Sequence, residues 1–307
     1  MNDSKKDTPT SVVGIKPITL IGVALFLVLI WGSAFTLIDV AVQTLSPEWL
    51  VAYRMMIGAS LVLIYSRLIG HRLPGLRDKR WLWYAVIAFT GASLPFVLIA
   101  TGQKSVDSGL SAILVGTMPL ITIILAHFFT DEKLTGMKFI GFLIGFIGIV
   151  VLFLPEDLSL SLVSDWQAQG IILIGSACYA VTTIIASRAP DTPSPVGAAM
   201  MLLIGAFLST TWAALTAGPP PMPSKAALYS VIALGLGSTG IATVTYLWVI
   251  DKAGPSVMAR INYFIPVCSV ILGVIYLKEA LDWRIFVALF VILLGVIISR
   301  LGKASKT

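Results

Sequence analysis

Fifteen aspartates and glutamates are the residues best able to carry acid–base or ion-coupling chemistry in this 307-residue chain, and none falls in the middle of an apolar run. Asp39, Glu48, Asp107, Asp251 and Asp282 come nearest, each within a few residues of the end of a run. A carboxylate that changes charge at low dielectric is the usual device of a proton-coupled pump, so a carboxylate relay is not expected. The two histidines, His71 and His127, belong to no His/Cys/carboxylate cluster at metal-ligand spacing, and no metal is expected. No phosphate loop or nucleophile elbow is present. The chain is therefore read as a non-enzyme, with no catalytic residue and no cofactor. His127 and Arg260 sit within a turn or two of a run's end, where their polar heads snorkel to the interface. Arg54, six residues after Glu48, reads as a structural partner of backbone or carboxylate.

At mid-depth the runs carry aromatic and helix-breaking residues, whose chemistry is binding rather than bond-making. Trp31 and Tyr179 lie too deep for the interfacial belts where these residues usually stand. Pro119 and Pro266 each free the carbonyl four residues earlier, at Val115 and Asn262, and kink their helices. Beside the second kink stand Asn262 and Tyr263; the third run centres on Ser93 and Pro95; the eighth holds Gly235, Gly237, Ser238 and Gly240, with Tyr246 beyond them. Small residues and prolines also serve close helix packing, so a cavity and a packing role both stand as readings. In the cavity reading Trp31, Tyr179, Ser93, Asn262, Tyr263 and Tyr246 line it. Pro119 and Pro266 are its hinges, aromatic faces hold an apolar side chain, and freed carbonyls meet an ammonium group.

The elements that position these residues follow from composition. The chain is 57% hydrophobic and only 12% charged, with a mean hydropathy of +0.95, against about 25% charged residues in an average soluble domain. That excludes a disulfide scaffold, a disordered chain and an ordinary cytosolic enzyme. Cys178 and Cys268 lie in apolar runs as small packing residues. Ten runs are expected as membrane helices: 18–42, 47–66, 81–103, 108–130, 139–155, 166–187, 194–217, 226–250, 255–277 and 283–299. They are continuous rather than alternating, which excludes a barrel. The first is too long for a signal peptide's apolar core. Lys and Arg divide between alternate breaks as fifteen against four, with Lys104, Lys225, Lys278 and Arg284 the minority. Both termini are thus expected in the cytoplasm, and the net charge of +6 records loop topology rather than nucleic-acid binding.

An internal repeat organises the spans. An offset of 147 places Pro119 on Pro266, Glu132 on Glu279, Leu134 on Leu281 and Gly148 on Gly295 without a gap, and Trp31 falls opposite Tyr179 at 148. Five spans per half is odd, so the second copy enters the membrane from the opposite side. A two-fold axis in the membrane plane then brings Trp31 and Tyr179 near each other, with Glu132 at the cytoplasmic face and Glu279 outside. The expected organisation is a tail (1–17), a first five-helix repeat (18–155), an external linker (156–165), a second repeat (166–300) and a second tail (301–307).

WGSAF at 31–35, the Pro-centred fourth span ending in Glu132, its copy ending in Glu279, and the five-plus-five spans resemble the drug/metabolite transporter superfamily. Within it they are most similar to the ten-helix EamA-type exporters, over about 18–299. The resemblance implies export of small metabolites across an inner membrane by alternating access around a central cavity. Among these proteins the chain looks like exporters of aromatic and other amino acids. The partners implied are a small-molecule substrate and membrane lipids, with one chain sufficient. Tyr179 stands where a tryptophan is common, and no acid lies at mid-depth in span one or six, unlike the first-span glutamate of four-helix relatives. A lipid-carrier flippase or multidrug exporter of the same superfamily is the alternative.

Overall fold

A computed structural model describes residues 16–129, 134–153, 166–253, 255–262, 264–280 and 283–301, and every regular element among them is helical. The helices are α1 (Pro17–Val42), α2 (Pro47–Leu68), α3 (Arg80–Gly102), α4 (Ser108–Phe129), α5 (Gly136–Phe153), α6 (Trp166–Ala186), α7 (Ser194–Thr216), α8 (225–253), α9 (Pro255–Asn262), α10 (Ile265–Leu277) and α11 (Trp283–Leu301). Seven of them, α1 to α4 and α6 to α8, are long and apolar enough to cross a bilayer; α5, α10 and α11 hold shorter apolar stretches. Glu132, Tyr263 and the 156–165 linker lie outside the described residues.

Local chemistry sets the starts. α2 opens on Ser46, whose hydroxyl accepts from the Trp49 N–H, followed by Pro47 in the first turn and Glu48 at the positive end of the helix dipole. Ser224 caps α8 through the Ala227 N–H in the same way. Large apolar side chains such as Leu25, Leu29, Phe207 and Phe290 are exposed, the pattern of helices that use lipid as their solvent.

Two departures from straight helices matter for the site. α4 loosens at Gly116–Thr117 and the ninth expected span divides into α9 and α10, in each case just before Pro119 or Pro266. Wide π turns occupy Phe89–Ser93 in α3 and Leu234–Ile241 in α8. Shifting 89–93 by 147 gives 236–240, inside the second turn. Glycines bring α5 and α11 into backbone contact: a Cβ at Gly141 would lie 2.4 Å from the Gly295 carbonyl, and one at Gly148 3.1 Å from the Ala288 carbonyl. The same offset exchanges these two contacts.

Candidate functional site

The wide turn of α8 is where the centre of the molecule is wired together. Widening moves the Ala242 N–H onto the Gly237 carbonyl, and the Trp31 indole on α1 donates to the Ser238 carbonyl at 3.1 Å. The Trp31 ring also meets Tyr246 of α8 at 6.0 Å between centroids. The indole N–H thus has a protein acceptor.

Arg54 on α2 joins the same turn. It is 4% exposed, and its Nε and Nη2 donate to Thr239 Oγ1 at 3.2 and 3.1 Å while Nη2 also reaches Ser238 Oγ at 3.3 Å. Its guanidinium lies over the Phe96 ring of α3, 4.1 Å from the centroid, and Phe96 packs edge-on against Tyr179 of α6 at 6.4 Å. Trp31 and Tyr179 are therefore joined through Ser238, Arg54 and Phe96, and no ring contact links them directly. Close approach makes this possible: a Cβ at Gly58 would fall 2.6 Å from Thr239 Cγ2, and one at Gly235 2.6 Å from Ile57 Cβ. The expectation that Arg54 pairs with backbone or a carboxylate is corrected, since its partners are two hydroxyls and an aromatic face. Sequence reasoning missed Phe96 and Thr239 and gave Arg54 only a structural role. The available signal was depth, because Arg54 is seven residues into α2, about 10 Å along the helix at 1.5 Å per residue.

The kinks behave differently from one another. The carbonyl of Val115 accepts from the Ser176 hydroxyl of α6 at 3.1 Å, so a side chain of another helix already meets it. The Asn262 side-chain oxygen at the second kink is buried and has no hydrogen bond among the described residues. Ser93 is buried and donates to the Gly205 carbonyl of α7 at 3.3 Å, which places it in a helix–helix contact. Tyr246 and Tyr179 are half-buried, and neither hydroxyl makes a hydrogen bond with a described residue.

At the end carrying Glu279, the two halves of the chain are tied by hydrogen bonds. The Glu279 carboxylate accepts from the Ser108 and Gly109 N–H groups at 2.7 and 3.2 Å, capping α4. Trp49 donates to the Gly218 carbonyl at 3.2 Å, Tyr53 to the Pro221 carbonyl at 3.1 Å, and Thr44 and Ser224 share a 2.8 Å bond. A shallow apolar groove of about 380 Å³, lined by Met56, Ile57, Ser60, Leu61, Ile64 and Leu236, runs along α2 and α8 away from the aromatic cluster.

Comparison with known proteins places this architecture. The model of the EamA-like transporter family matches twice, over residues 18–154 and 167–301. The uncharacterized inner membrane transporter YedA of Escherichia coli (strain K12) is 30% identical, covering 92% of this chain and 91% of its own. The uncharacterized transporter YoaV of Bacillus subtilis (strain 168) is 23% identical over 87% and 92% of the two chains. A solved crystal structure superposes with a TM-score of 0.66 at 22% identity, covering 92% of this chain and 98% of that one, which is a likeness of fold. With both halves matched by one family model, this chain belongs to the EamA-like transporter family.

Proposed function

We propose that the protein is a secondary transporter of the inner membrane that exports small amphipathic metabolites, above all amino acids including aromatic ones. Transport proceeds by alternating access around the aromatic cluster at the middle of the bundle, between two inverted five-helix repeats with both termini in the cytoplasm. One observation carries the reading: the continuous path Trp31–Ser238–Arg54–Phe96–Tyr179, which spans both halves of the chain. Trp31, Tyr246, Phe96 and Tyr179 offer ring faces to an apolar or aromatic side chain.

The bonds at the Glu279 end close the outer gate, and the breaks before Pro119 and Pro266 supply the hinges by which it opens. A lipid-carrier flippase would need basic groups along a lateral opening, and the groove between α2 and α8 is lined by apolar residues and one serine. Flux of labelled amino acids into proteoliposomes, with and without a proton gradient, tests the reading. Saturable uptake of tryptophan or phenylalanine supports it. Movement of a lipid carrier without amino acid flux overturns it.

A further inference from the structure

We propose that Arg54 is the binding site for the carboxylate of the transported molecule, which makes the substrate class small carboxylic acids, amino acids among them. This rests on the reading of the central cluster as the transport site.

The argument begins with an uncompensated charge. Arginine keeps its proton under all ordinary conditions and offers five N–H groups in a planar fork. Burying such a group is costly unless a counter-charge accompanies it, and inside a membrane the cost marks function. Arg54 is 4% exposed, yet no carboxylate among the described residues forms an ion pair with it. Two hydroxyls and one ring face are neutral, and they fix the guanidinium in place without cancelling its charge.

Its donors are used unevenly. Nε and Nη2 are committed to Thr239 and Ser238, while Nη1 donates to no described residue. Tyr179 packs against the Phe96 ring that the guanidinium covers, and its hydroxyl likewise has no described partner. A planar carboxylate meeting Nη1 and the Tyr179 hydroxyl, with its substituent among Phe96, Tyr246 and Trp31, completes both. The hydroxyls of Ser238 and Thr239 then act as positioning groups that hold the fork toward the ligand.

The test compares acids with their amides on the wild-type protein in neutral detergent, by thermal stabilisation: tryptophan against tryptophanamide, and leucine against leucinamide. A hydrogen bond to a charged group contributes enough that losing the carboxylate should weaken binding about tenfold or more. Arg54→Gln should abolish the difference within each pair, and Arg54→Lys should retain part of it. If acids and amides bind alike, or no acid binds, the proposal fails. If both acids are preferred over their amides but tryptophan has no advantage over leucine, Arg54 stands and the aromatic preference falls. Adding phosphatidylglycerol to the micelles should leave the acid preference intact; if that lipid eliminates it, the guanidinium serves a lipid headgroup and the carboxylate assignment is wrong.

Discussion

Gly58→Ala tests whether the close contact of α2 with the wide turn of α8 builds the site. The added Cβ would meet Thr239 Cγ2 at 2.6 Å and Thr239 Cβ at 3.0 Å, with the Gly235 carbonyl at 3.2 Å, whereas ordinary contact starts at 3.4 Å. Threonine is branched at Cβ and stiff, so the relief must come from helix separation, about 0.8 Å (3.4 minus 2.6). Applied to the 3.1 Å bond from Arg54 to Thr239, that gives about 3.9 Å, beyond hydrogen-bond range. Overpacking of this kind costs about 1–3 kcal/mol, so thermal stability should fall modestly. Flux should fall about tenfold, equivalent to ~1.4 kcal/mol, because the guanidinium loses its support. Thr239→Ser removes the clashing methyl and keeps the acceptor, so the double variant should recover much of the flux in proteoliposomes. Wild-type flux in Gly58→Ala, or no recovery in the double variant, would refute the reasoning.

Truncating Trp31 or Tyr179 to alanine should weaken tryptophan and phenylalanine transport roughly tenfold or more while threonine is affected less, since ring contact contributes about 0.5–1.5 kcal/mol beyond area burial; competition assays across the three amino acids check it. Pro119→Ala supplies an N–H to the Val115 carbonyl in competition with Ser176, and Pro266→Ala straightens the second break. Both variants should fold yet exchange more slowly, with access biased toward opposite faces in thiol-labelling assays. Glu279→Ala removes the carboxylate from the N-terminus of α4, a capping loss of about 1 kcal/mol, and should raise accessibility from outside at cysteines placed near Ser108. A thiol introduced by Glu279→Cys should itself be labelled only from outside and one introduced by Glu132→Cys only from the cytoplasm.

Continuous apolar runs made the helices legible, because a segment in lipid must satisfy its own backbone. The proline breaks were equally legible, since a missing N–H is a local property of sequence. Element ends shifted by a turn or less: α5 starts at Gly136 rather than 139, and α8 continues to Ala253. At the site, depth and ring chemistry pointed to Trp31, Tyr179 and Tyr246. Arg54 was misread because its acceptors, Ser238 and Thr239, stand 184 and 185 residues away. They meet it through a wide turn that composition shows only as a run of glycines. The partner of the Val115 carbonyl was hidden for a similar reason, since Ser176 reaches it from another helix.

Access to the centre of the bundle is the central claim, and Tyr246→Cys in a background with Cys178→Ala and Cys268→Ala measures it directly. The introduced thiol should react with a membrane-impermeant reagent applied from either side of the bilayer, and tryptophan should slow the reaction at both faces. A thiol that reacts from one side only, or reacts from both without protection by any amino acid, would contradict alternating access around this site.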